Sequence, residues 1–367
     1  MRLLREIFTR NPSFRVRGFL PMKDPLTRFQ IGSPYEPLDA IGDVLPEALE
    51  HSEFRRWATH LDIPMYSIPS RFDEEAEREL QLYYVRIAFL ISAYVHQVGQ
   101  PKISMIPHNI AKPLAHAAYH LARPPILSYD GYALYNWRRF DPKGPVALGN
   151  IDTFQNFVDM YDEHWFILVH IEIEAIGAEI HDALAHYVGG ESDIDTMLWR
   201  MHTTIEKMTA VLRRIPEHMD PELYFSTFRP YIKEFKDMKY EGVHDKKKSY
   251  RGETGAQSSI LPILESILKI PHKPSILTEH LSDMRLYMPL EHIVLIAAVD
   301  QMPSITDIAS KEPWNAVLEA MAEFRHVHLG WAHQYIYRHG GVRGTGGTPY
   351  MAWLDQLVKE TLAARKL

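Results

Sequence analysis

Late in the chain, the stretch Phe324-Arg325-His326-Val327-His328-Leu329-Gly330-Trp331-Ala332-His333 carries three histidines in one span of helical patterning. Glu312-Pro313 opens that span with proline at a first helical position. Apolar residues then recur at Trp314, Val317, Leu318, Met321, Phe324, Trp331 and Tyr335, the spacing of one helical face. His328 falls on this face, seven residues from both Met321 and Tyr335, whereas His326 and His333 are rotated away from it. Such an imidazole can ligate a metal or simply bond a carbonyl in the core, and the second role is the commoner one.

His170 is a second inward imidazole. In the helical pattern from Asp152 to Val188, closed by Gly189-Gly190, it shares a face with Phe166, Val169, Ile173, Gly177, Ile180 and Leu184, and Glu174 follows one turn later. Gly177 on that face permits close approach of a flat ligand or of another helix. All-helical proteins place cofactors between facing helices in this way. The chain has no cysteine, which excludes disulfides, zinc–cysteine sites, iron–sulfur clusters and thiolate-ligated haem. An iron porphyrin held by one histidine is then the natural candidate. A carboxylate-bridged iron site would need paired Glu-x-x-His motifs on inward faces. The chain offers only Glu323/His326 on the wrong face and Glu241/His244 in a lysine-rich loop.

Arg229 stands among aromatics in Tyr224-Phe225-Ser226-Thr227-Phe228-Arg229-Pro230. It is either a snorkelling surface residue or a forked donor for a substrate carboxylate, with Tyr224 and Phe225 walling an aromatic ring. Gly344-Thr345-Gly346-Gly347 lacks the Gly-Lys-Ser/Thr ending of a phosphate-binding loop. It suits a lid whose Thr345 hydroxyl bonds a substrate.

Around these residues the patterning predicts an all-α protein. Helices are expected at Phe72–Val98 (with Ser70 opening a capping box), His108–Ala122, Ile194–Leu212, Pro221–Lys236, Gln257–Leu268, Leu277–Tyr287 and Leu290–Val299, and from Pro349 onward. Residues 1–45 read as an extended arm, residues 238–256 and 338–348 as long loops, and strand patterning is nearly absent. The composition shift at Asp141-Pro142-Lys143-Gly144-Pro145 divides the chain into a smaller, mostly helical domain (1–150) and a larger helical one (151–367). The 367 residues, 46% hydrophobic and 24% charged, suit a soluble globular protein. A net charge of -7 argues against nucleic acid as partner. The N-terminus lacks the apolar core of a signal peptide, and no run is long enough to span a bilayer. That points to a cytoplasmic protein without a membrane partner.

Taken together, Pro124-Pro125-Ile126-Leu127-Ser128-Tyr129, Phe166 to Ile180, Tyr224 to Arg229, Gly255-Ala256-Gln257-Ser258-Ser259, Asp283 to Pro289, Arg325-His326-Val327-His328-Leu329 and Gly344 to Thr348 resemble, in order, the indoleamine 2,3-dioxygenase family of haem dioxygenases. The resemblance implies haem b bound non-covalently, with His328 as proximal iron ligand. It puts Arg325 near a propionate, Glu265 where an aspartate usually pairs with that arginine, and Gly255 and Ala256 among the cofactor-binding positions. It implies a small indole substrate, L-tryptophan or a relative, cleaved by dioxygen at the C2–C3 bond to an N-formylkynurenine-type product. Arg229 then binds the substrate carboxylate, Tyr129, Phe166, Tyr224 and Phe225 wall the pocket, and Thr345 belongs to the closing loop. The smaller domain covers the distal side. The chain departs from the family at His170, where mammalian-type members carry serine. This makes the distal side similar to that of tryptophan 2,3-dioxygenase, with neutral His170 accepting the indole N–H. Tyr224 and Leu261 replace phenylalanines. Monooxygenation of an indole and haem sensing without turnover are the alternatives.

Overall fold

The computed structural model describes residues 1–367, and its long elements are helical. Tyr161–Gly189 and Lys311–Tyr335 both pack against Ile194–Leu212, and Tyr350–Ala363 packs on Lys311–Tyr335. The two helices that carry His170 and His328 make no extended contact with each other. Their inner faces are therefore free to line a common space.

Ile194–Leu212 has the predicted bounds. Its cap, Asp193, accepts a hydrogen bond from the Thr196 amide at 2.7 Å. The predicted Phe72–Val98 helix runs Glu74–His96, and its cap is Asp73, accepting from the Ala76 amide, rather than Ser70. Three glutamates in its first turn suit the positive end of the helix. From Leu80 to Ala93 this helix is buried on every side, the mark of a core element. It runs through the first of two apolar clusters, which draws mainly on residues 20–171 and is joined by Tyr231, Ile232, Phe235, Met238 and Tyr240. The second cluster gathers Leu4, Phe8, Phe14 and Phe19 with residues 165–335.

Several expectations need correction. The N-terminal arm is not extended: Arg2–Arg10, Ser13–Arg17 and Pro37–Leu49 are helices. Leu4 and Phe8, one turn apart, seat the first of them in the second cluster. Asp152 lies in a short strand, Ile151–Asp152, paired antiparallel with Arg138–Arg139, so the long helix begins at Tyr161. The predicted Pro221–Lys236 helix divides into Pro221–Leu223, a π-turn at Tyr224–Phe228 and a 3₁₀ turn at Arg229–Ile232. Pro230 has no N–H to continue an α-helix, and its ring crowds the preceding turn. The chain then becomes a strand, Phe235–Tyr240, lying between Met105–Ile106 (parallel) and Lys248–Tyr250 (antiparallel). Residues 238–256 are accordingly in part a hairpin. No helix is long and apolar enough to cross a membrane.

Candidate active site

Between the Tyr161–Gly189 and Lys311–Tyr335 helices lies a cavity of about 240 Å³. Of its 32 lining residues 19 are hydrophobic, which suits an aromatic or macrocyclic guest. His328, Phe324 and Trp331 line it from one helix, and Phe166 and His170 from the other. Ile260–Leu268 contributes Leu261 and Glu265, while Gly177 receives the Ile260 side chain. Gly177 therefore serves helix–helix approach rather than a flat ligand.

The His328 side chain is exposed although it lies deep in the protein, because its free surface faces the cavity. Burial, with a smaller effect from His170, pushes its pKa down to about 4, and no hydrogen bond opposes that shift. It is thus a neutral imidazole with an unshared lone pair, the form that ligates a metal. No group of three His, Asp or Glu side chains is arranged to hold an ion by protein atoms alone. A metal held by His328 would need its remaining ligands from outside the protein.

One turn before it, Arg325 is buried and lines the same cavity. Its guanidinium donates to Glu265, to the Thr361 hydroxyl and to the Leu357 carbonyl, while its Nε is buried without a partner. Glu265 also meets His272 Nε2 at 3.4 Å, and His272 Nδ1 lies 2.6 Å from Glu360. Burial alone would raise the Glu265 carboxyl; hydrogen bonding to His272 and the nearby Arg325 charge hold it below the usual range. Truncating one member of a buried pair such as Arg325–Glu265 costs about 3–5 kcal/mol. At Gly255 an added Cβ would meet no protein atom within 4 Å, so the wall stays clear there beside Ala256. A neutral imidazole, a buried cation beside it and a clear wall fit a haem with its propionates.

Across the cavity, His170 Nδ1 lies 2.7 Å from the Phe166 carbonyl. A carbonyl can only accept, so Nδ1 carries the proton. Burial lowers the His170 pKa, the ring is neutral, and Nε2 is left as an acceptor. Behind it, Glu174 accepts on one oxygen from Tyr129 (2.9 Å) and Ser258 (2.7 Å). Burial still pushes its carboxyl up to about 7.

Of the residues singled out from sequence, His328, Arg325, His170, Phe166, Tyr224, Gly255, Ala256 and Thr345 line the cavity. Tyr129, Phe225 and Arg229 do not. Tyr129 sits edge-on to His170 at 6.0 Å between ring centroids. Phe225 stacks on His339. Arg229 is buried over the Phe225 ring and donates to the Arg343 carbonyl at 2.8 Å, with Nε unpartnered. It touches the glycine-rich loop rather than the cavity. That loop is held by the Glu234 amide donating to the Thr345 carbonyl at 2.9 Å. At Gly347 (φ 81°) a side chain would also strike the Glu234 carboxylate.

Among the lining residues not foreseen from sequence are His280 and Glu253. His280 shares its cavity face with Leu277 and Leu281, a helical spacing that was there to be read. Glu253 stood in the polar run Arg251-Gly252-Glu253-Thr254, where nothing distinguished it from a solvated loop. It is buried, lines the cavity, and is pushed up to about 8 by burial alone.

A helical protein that offers one unbonded imidazole to an apolar cavity, with a buried arginine beside it, has residues that fit a haem. A family model for indoleamine 2,3-dioxygenase matches residues 12–340. The chain belongs to that family and is by class a haem-dependent dioxygenase acting on indoles. It is 27% identical to indoleamine 2,3-dioxygenase 2 of Homo sapiens, over 94% of this chain and 92% of that one. It is 25% identical to a 6-hydroxytryptophan 2,3-dioxygenase of Fusarium equiseti (87% and 82%) and 24% identical to a myoglobin of Haliotis madaka (87% and 86%).

Proposed function

We propose that this chain cleaves the indole C2–C3 bond of L-tryptophan or a close analogue to an N-formylkynurenine-type product, a step of tryptophan catabolism by the kynurenine route, with haem b as cofactor and dioxygen as co-substrate. The observation that carries this reading is the pair of neutral imidazoles facing one cavity, His328 with a free ring and His170 with its Nε2 lone pair free. When bound, the haem supplies the dioxygen activation that no side chain here can perform. His328 would hold its iron, Arg325 would meet a propionate, and Gly255 and Ala256 would leave room for the ring. Phe166 and Tyr224 wall the indole and keep water from it. His170 accepts the indole N–H, supported from behind by Tyr129. Arg229 reads the substrate carboxylate once Arg343 releases it, and Thr345 closes over the substrate. In this reading residues 1–150 cover the distal side and residues 151–367 hold the cofactor.

The reduced, haem-loaded protein given L-tryptophan and labelled dioxygen tests the reading by mass spectrometry. Two labelled atoms in a ring-opened product are expected. One atom in an intact ring would replace it with monooxygenation. Reversible dioxygen binding without product from several indoles would favour a haem carrier, a role suggested by the likeness to a protein named myoglobin.

For His170→Ser, the preference for indoles over their N-methyl counterparts should fall by roughly three- to tenfold, the worth of one neutral hydrogen bond. A preference that survives intact would remove the indole N–H from His170.

A further inference from the structure

Glu253 is 4% exposed, it faces the cavity, and no side chain or backbone amide donates to it. Its charge is felt by Tyr129, Tyr132 and Tyr224. The first two already give their hydroxyl protons elsewhere: Tyr129 to Glu174 at 2.9 Å and Tyr132 to Glu163 at 3.1 Å. A buried carboxyl without a donor is costly. Burial favours its neutral form while the cavity holds no cation; a cationic donor entering the cavity would favour the carboxylate, its proton leaving to solvent.

Tyr224 and Glu253 line the same cavity, and Arg229 stacks over Phe225, the residue next to Tyr224. An α-amino acid carries an ammonium and a carboxylate on one carbon and needs an anion and a cation placed close together. The indole N–H has its own acceptor in His170. We propose that Glu253 is a specificity-determining residue that binds the α-ammonium of an indole amino acid and so selects amino acids over ammonium-free indoles. This rests on the reading of the cavity as an indole site and deepens it.

The test uses the haem-loaded full chain and three ligands: L-tryptophan, tryptamine, which keeps the ammonium without the carboxylate, and indole-3-propionate, which keeps the carboxylate without the ammonium. Glu253→Gln is expected to lower kcat/KM and calorimetric affinity for L-tryptophan and tryptamine by about tenfold or more, and to leave indole-3-propionate unchanged or improved. Glu253→Asp should recover part of the loss. Equal losses on all three ligands, or none, would overturn the proposal. Should the glutamine variant fail to fold or to take up haem, the wild-type protein decides: L-tryptophan must bind at least about tenfold more tightly than indole-3-propionate, and equal affinities overturn the assignment. A wild-type protein that binds none of the three overturns the indole reading and this proposal together. Indoles bound or turned over without regard to the ammonium overturn Glu253 alone.

Discussion

Replacing His328 by alanine is expected to abolish the spectrum of a histidine-ligated haem and to reduce indole oxidation to background. The imidazole is neutral, carries no hydrogen bond, and faces an apolar cavity. Its removal deletes a ligand without leaving a protein group unpaired. The fold should therefore survive, since Trp314, Val317, Leu318 and Met321 on the same helix remain in the core. Added imidazole, entering the space left by the side chain, should restore part of the spectrum. A variant with the wild-type spectrum would sink the assignment and shift the ligand to the opposite wall, where His170 is the next imidazole.

For Arg229→Ala, KM for L-tryptophan should rise far more than KM for indole. A charge-assisted carboxylate contact is worth roughly 2–5 kcal/mol when one partner is truncated, which is roughly thirtyfold or more in affinity. The structure sharpens what this contact requires. Arg229 lies behind the Tyr224 wall with one donor on the Arg343 carbonyl and its Nε orphaned. In the proposed reading, substrate would have to draw the guanidinium from the Arg343 carbonyl, which would couple binding to loop movement. Equal losses on tryptophan and indole would instead make Arg229 a strut for the 340–348 segment.

Where helical spacing is sustained, the sequence was readable. Ile194–Leu212 has its predicted bounds, and His328 and His170 face inward as their seven- and four-residue relations to apolar neighbours require. The short helices of the first 45 residues were not readable. Each is stable only because a partner surface receives it: Leu4, Phe8 and Phe14 pack among residues 165–335, whereas Leu38, Leu45 and Leu49 join the first cluster. The break after Phe228 was foreshadowed by Pro230, but the following strand depends on pairing with Met105–Ile106, over a hundred residues away.

By itself, then, the sequence determined that His328 and His170 turn inward, the helical class, the exclusion of cysteine-based cofactors, and the ordered motifs of a haem dioxygenase family. Periodicity and composition act along the chain, and those features need nothing else. Only the tertiary structure decided that the two histidine helices stand apart to leave a cavity, that Gly177 receives Ile260, that Arg229 turns to the loop, and that Glu253 enters the pocket without a donor. These depend on distances and desolvation among residues far apart in the chain, for which the order of residues carries no periodic signal.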